Sequence, residues 1–149
     1  MSPDFKEILS VFNEHGVKYL IVGDHAVMKY SEPRFTKDLD IWIEASTDNA
    51  RKVFAALKSF GAPLDEVTET DFASEGFFQM GRPPVRIDIL MTIDGVEFQD
   101  AWPNRHEGDF AGVPVNFIGP EDLVINKTVS ARPQDILDVH SMNIKQPKS

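Results

Sequence analysis

The sequence predicts an α+β fold, a small mixed β-sheet flanked by helices, with further helices at its C-terminal end. Three observations carry that reading. Strand-like apolar runs alternate with capped amphipathic stretches through the first 60 residues, Gly23 turns one such run directly into a helix, and the runs at residues 76–80 and 85–91 flank a turn. With 149 residues, the chain is expected to form one domain spanning residues 1–149, large enough to hide roughly 70% of its unfolded surface.

Ser2, Pro3 and Asp4 form a helix start of cap, N1 proline and first-turn acid, after which Phe5, Ile8, Leu9 and Phe12 follow at helical spacing until Gly16. Residues 17–22 read as an apolar strand broken only by Lys18. Gly23 leads into a short helix over residues 24–30, and Pro33 stops its continuation. A second strand is predicted over residues 38–44. Ser46, Thr47 and Asp48 are the capping candidates for a helix that carries Ala50, Val53, Phe54 and Leu57 on one face and ends at Gly61.

Residues 62–74 are polar and acidic and read as a surface loop with at most a short turn. The turn between the next two strands is expected at residues 81–84, and Asp94-Gly95 reads as a hairpin into a strand at residues 96–99. Residues 104–109 read as loop and residues 113–118 as a late strand, placed at an edge by Pro114. Gly119, Pro120, Glu121 and Asp122 start a helix carrying Leu123, Val124 and Lys127. Arg132-Pro133 opens a final helix with Asp135 and Asp138 at i and i+3 and with Ile136, Leu137 and Val139 as its apolar contribution. The tail from Lys145 is expected to fray.

Composition narrows the chemistry. Without cysteine, disulfides, thiolate zinc sites and a cysteine nucleophile are excluded. Histidines 15, 25, 106 and 140 show no metal-binding spacing and read as surface or capping residues. The net charge of -9 argues against a broad nucleic-acid-binding face, which needs clustered Lys and Arg. No apolar run approaches a membrane span, and the start of the chain does not read as a signal peptide, so a cytoplasmic location away from membranes is expected.

The chemistry gathers around residues 18–44. Alternation along a strand brings the Asp38 and Asp40 carboxylates out side by side, while Leu39, Ile41 and Ile43 enter the core. Asp88 falls inside the run RIDIL, where a lone carboxylate is costly unless it meets a cation or a metal. Three carboxylates of this kind suit hard cations, which activate an attacking oxygen and stabilise a departing phosphate. A glycine turn at a helix start supplies backbone N–H groups for phosphate. Together these features predict a nucleoside triphosphate with magnesium. DxD and a strand-Gly-helix junction are each commonplace; their combination, in order and with Asp88, is the signal.

The segment VGDHAV followed by TKDLDIWI, with RIDIL later, resembles the nucleotidyltransferases of the DNA polymerase beta superfamily, whose pattern is Gly-Gly or Gly-Ser, about ten residues, then DxD. It looks nearest to the small bacterial AbiEii-type and minimal nucleotidyltransferases of toxin-antitoxin and phage-defence systems. IGPEDLVINK and ARPQDILDV look like that group's Lys and its RxxDxxD element, so the resemblance covers nearly the whole chain.

The resemblance implies a nucleotidyltransferase fold and magnesium-dependent transfer of a nucleoside monophosphate to a hydroxyl of a protein or a tRNA, the acidic balance favouring protein. It implies that Asp38, Asp40 and Asp88 bind the metal, that Asp88 helps deprotonate the acceptor, and that Gly23 lets the backbone approach the triphosphate. Arg34 and Thr36 match the R-x-T that precedes DxD in similar proteins, and holding the loop accounts for them equally. Lys127 is implied as a phosphate-reaching cation oriented by Asp135 and Asp138, for which a salt-bridged helix pair is the plain alternative.

Asp24 departs from the pattern, since similar proteins have Gly or Ser beside the phosphate. At about 5 Å and an effective dielectric of about 20, its charge costs roughly 3 kcal/mol against a phosphate. Nearby magnesium offsets that cost, or Asp24 turns away as a helix cap. The rival readings are a non-catalytic binding module with a disabled phosphate turn and, by fold analogy alone, an antibiotic-modifying nucleotidyltransferase.

Overall fold

The computed structural model describes residues 3–81 and 85–145. Its elements are α1 (Pro3–Glu14), β1 (Tyr19–Val22), α2 (Gly23–Tyr30), β2 (Asp38–Ile43), α3 (Thr47–Phe60), β3 (Phe77–Met80), β4 (Arg86–Leu90), α4 (Phe98–Ala101), β5 (His106–Phe110), β6 (Val113–Phe117), α5 (Pro120–Ser130) and α6 (Pro133–Lys145). The strands form a six-stranded sheet in the order β3-β4-β2-β1-β6-β5. The β2–β4 and β1–β6 pairs are parallel and the rest antiparallel, so the sheet is mixed, as the sequence predicts. The expected Ser2 cap, residues 82–84 of the turn at residues 81–84, and residues 146–149 of the tail lie outside the described residues.

Alternation gives the sheet two different faces. Leu39, Ile41 and Ile43 of β2 and Ile87 and Ile89 of β4 are buried on one of them, each worth about 2 kcal/mol of apolar burial. Phe12 of α1 meets Tyr19 there, and Phe54 of α3 stacks edge-on through Phe72 to Phe78. The other face carries Asp38, Asp40 and Trp42 of β2 beside Arg86, Asp88 and Leu90 of β4. Helix α3 is docked by its own start: Ser46 is the N-cap, accepting from Asn49 N–H, and the buried Asn49 amide bonds Lys18 and Glu44 backbone where β1 and β2 meet. Gly61 closes the helix in the left-handed region at φ 93°.

Several expectations fail for identifiable reasons. Residues 104–109 are not loop: His106–Phe110 is the edge strand β5, joined to β6 by a tight turn at Ala111 and Gly112, both at positive φ. An edge strand facing water on one side reads as polar, which hides it. Pro114 lies on an inner strand, not an edge; β6 meets β1 only at Phe117, so the missing N–H removes no ladder bond there, and the Pro114 carbonyl accepts from Asn13. The strand expected at residues 96–99 shrinks to a bridge between Ile93 and Val96, after which Phe98 starts α4. Residues 62–74, by contrast, keep the expected surface loop with a short turn, a 3-10 turn at Glu69–Ala73, and that turn buries Phe72 completely.

The largest reversal is in α6. Ile136 and Leu137 are 61% and 62% exposed, whereas Asp135 and Asp138 are each only 1% exposed. The acidic side of the helix points inward because it meets cations there. His25, read as a surface or capping residue, packs edge-on between Phe5 and Phe110.

Candidate active site

Strand register assembles the carboxylates. Asp40 stands opposite Val22 on β1 and opposite Asp88 on β4, so the end of the first strand, the DxD and the later Asp share one line across the sheet. Burial pushes the Asp40 carboxyl up to about 7, helped by its hydrogen bond with Asp88 and by the charges of Asp88, Asp38 and Asp24. Near neutral pH the Asp40 carboxyl therefore keeps a proton a good part of the time. Asp88 Oδ1 is buried without a hydrogen bond.

Gly23 makes this closeness possible. Its φ is +69°, and a β-carbon there would stand 2.1 Å from Asp40 Oδ2, so both conformation and space demand glycine. The N-terminus of α2 thus begins against the carboxylates. Asp24, in the first turn of that helix, does not cap it: Val22 is the N-cap residue, and it makes no side-chain cap hydrogen bond. Asp24 instead pairs with Arg34 at 3.3 Å.

Arg34 also holds Asp138 at 2.6 Å, and Lys127 bridges Asp138 and Asp135 at 3.2 and 3.1 Å, with Arg132 closing on Asp135 at 2.8 Å. The result is a row of alternating charges, Asp24, Arg34, Asp138, Lys127, Asp135 and Arg132, tying the α2 turn to both C-terminal helices. Burial pushes the Asp135 and Asp138 carboxyls up, but hydrogen bonds from Arg132, Ser130 and Lys127 to Asp135, and from Arg34 and Gln134 to Asp138, more than reverse it and hold both below the ordinary range. Thr36 spends its hydroxyl on Asp38 backbone N–H and C=O, each at 3.3 Å, which fixes the entry to β2.

Between the carboxylate face and the C-terminal helices lies a cleft of about 410 Å³ lined by Gly23, Asp40, Thr92, Asn126, Lys127 and Arg132, among others. Asp38, Asp88, Asp24, Arg34 and Thr36 do not line it. Arg132, the Arg of the RxxDxxD element, was given no role of its own in the sequence, and Arg86 was not singled out. Arg86 had a readable sign, standing two residues before Asp88 on the same strand face.

Among the described residues, no three His, Asp or Glu side chains already stand as a metal-holding group. The donors nonetheless suit a hard cation. They are carboxylates, one oxygen lacks any hydrogen bond, and burial together with their mutual repulsion raises Asp40.

The fold is that of nucleotidyltransferases of known structure. The antibiotic-resistance factor ANT(2'')-Ia superposes with a TM-score of 0.65 at 16% identity, over 95% of this chain and 81% of its own; its complex with adenylyl-2''-tobramycin gives 0.63 at 16%, over 94% and 86%. The lincosamide antibiotic adenylyltransferase LnuA, lincomycin-bound, gives 0.58 at 16% over 98% of both chains. An antigenic nucleotidyltransferase-like protein from Paracoccidioides brasiliensis gives 0.52 at 20%, over 92% and 75%. The chain itself belongs to the family described as nucleotidyltransferase of unknown function (DUF6036), which matches residues 4–147. No curated protein matches it in sequence.

Proposed function

We propose that this chain is a magnesium-dependent nucleotidyltransferase that moves a nucleoside monophosphate from a triphosphate onto a hydroxyl. The observation that carries the reading is the line Gly23, Asp40, Asp88: a phosphate-type helix start pressed against two carboxylates, at a cleft whose far wall holds Lys127 and Arg132. Asp38, Asp40 and Asp88 would hold the ion, which when bound neutralises phosphate charge and activates the attacking hydroxyl. Asp88, with its free oxygen, takes the acceptor proton. The acceptor oxygen bonds the α-phosphorus, the bond to the bridging oxygen breaks, and pyrophosphate leaves with its charge facing Lys127 and Arg132. Gly23 leaves the α2 N–H groups open to the phosphates.

Arg34 and Thr36 support the site rather than touch nucleotide: their polar atoms serve Asp24, Asp138 and the Asp38 backbone. The Asp24–Arg34 pair also favours an active turn over the non-catalytic module, because the charge beside the phosphate is already partnered. For the acceptor, the likeness to AbiEii-type proteins favours a protein or tRNA hydroxyl in a cytoplasmic toxin-antitoxin or defence setting, and the net charge of -9 favours protein. The neighbouring folds that hold adenylyl-tobramycin and lincomycin support a small-molecule acceptor as the second reading.

Thermal-shift titration with each triphosphate, with and without magnesium, tests the enzyme reading. A magnesium-dependent rise is expected for the wild type and not for Asp40→Asn; no shift at millimolar nucleotide sinks it. Mass spectrometry of candidate proteins, tRNA and aminoglycosides after incubation with labelled triphosphate then separates the acceptors.

A further inference from the structure

Arg86 plays no part in the reaction described above, yet it sits among the carboxylates. It stands opposite Asp38 in the β2–β4 register and two residues before Asp88, so alternation puts it on their face of the sheet. Its Nη2 lies 3.3 Å from Asp38 Oδ2 and its Nε 3.8 Å from Asp88 Oδ1. The grip is loose. Each carboxylate receives one nitrogen rather than a two-point fork, and Arg86 Nε and Asp88 Oδ1 are both buried without a hydrogen bond. By contrast, Arg34 holds Asp138 at 2.6 Å. Asp38 is drawn to Arg86 and Asp40 is bonded to Asp88, and among the described residues the three carboxylates do not already form a metal-holding group.

We propose that Arg86 is a resident counter-cation: it holds Asp38 and Asp88 while no divalent ion is present, competes with that ion, and swings out when it binds. The proposal rests on the reading of Asp38, Asp40 and Asp88 as a divalent-ion site. Because a guanidinium cannot be deprotonated at working pH, its opposition to the ion is constant. Free metal then binds weakly, whereas metal arriving with a triphosphate brings phosphate oxygens that complete its shell and give the displaced arginine an anion to meet. The site fills with substrate rather than ahead of it.

The test is direct Mn²⁺ binding without nucleotide, read from the electron paramagnetic resonance of the free ion. The proteins compared are the wild type, Arg86→Gln, Arg86→Lys, Asp40→Asn and Arg51→Gln, the last losing the same charge from the exposed surface of α3 on the opposite side of the sheet. Arg86→Gln should bind about tenfold tighter than the wild type. Arg86→Lys, whose single ammonium cannot bridge both carboxylates, should fall between and carries the test if the glutamine variant does not fold. Arg51→Gln should match the wild type, and Asp40→Asn should lose binding. Metal-free Arg86→Gln should also melt lower than the wild type and recover with Mn²⁺. If Asp40-dependent binding is present but no tighter in both Arg86 variants, or if Arg51→Gln tightens it equally, the counter-cation role is wrong and the metal site stands. No Mn²⁺ binding by any of the proteins overturns the metal site itself and Arg86's role with it.

Discussion

At residue 23 there is room for a hydrogen and nothing more, because Asp40 Oδ2 fills the place of a side chain. Gly23→Ala should therefore do two kinds of damage, straining a positive φ and displacing Asp40. Turnover is expected to fall about a hundredfold or more while triphosphate binding weakens less, a split that steady-state kinetics beside calorimetric binding would reveal. Asp24 predicts the opposite kind of change. Its carboxylate is shared with Arg34 and is 39% exposed, so Asp24→Asn should tighten triphosphate binding by about tenfold at most, less than the unpaired-charge arithmetic of the sequence implies. An unchanged affinity would show that Arg34 cancels the charge completely.

Buried charge pairs tie helices α5 and α6 to one another and to the loop before β2. Lys127 is 7% exposed and shared between two carboxylates that are each 1% exposed. Removing it leaves uncompensated buried charge, so Lys127→Met should cost about 3–5 kcal/mol in urea unfolding. If Lys127 acts only on phosphate, stability will hold and nucleotide binding alone will fall. The inversion of α6 follows from the same contacts: Arg34 and Lys127 reward an inward acidic face, leaving Ile136 and Leu137 outside against the usual preference for burying apolar area. From sequence, Asp135 and Asp138 read equally well as a surface pair, since the cations that draw them inward, Lys127 and Arg34, lie on α5 and in the loop before β2.

Across the molecule, the two acidic groups respond to pH in opposite senses. Asp40, held at about 7 against an ordinary 3.8, keeps a proton in the folded chain that the unfolded chain releases. Its contribution to metal-free stability is thus greatest near pH 4 and falls as pH rises to about 7, by up to about 4 kcal/mol. Asp135 and Asp138, held below the ordinary range, contribute above about pH 4 and lose that contribution as pH falls further. In a chelator, the wild type should lose stability between pH 5 and pH 8 in urea titrations while Asp40→Asn changes little. Equal slopes would show that Asp40 is not held protonated.

Local patterns determined the mixed sheet with its helices, a cap among Ser46, Thr47 and Asp48, the Gly61 stop, the DxD on a strand and Asp88 inside RIDIL, because alternation, capping and turn chemistry act over a few neighbouring residues. The nearness of Asp88 to Asp40 was a matter of resemblance until strand register placed them side by side. Only the tertiary structure decided that Asp24 meets Arg34, that Arg86 reaches Asp38 and Asp88, that α6 turns its acids inward and that the polar residues 106–110 form an edge strand. A charge takes its meaning from its partner, and here the partners of Asp24, Asp38 and Asp138 lie 10, 48 and 104 residues away along the chain.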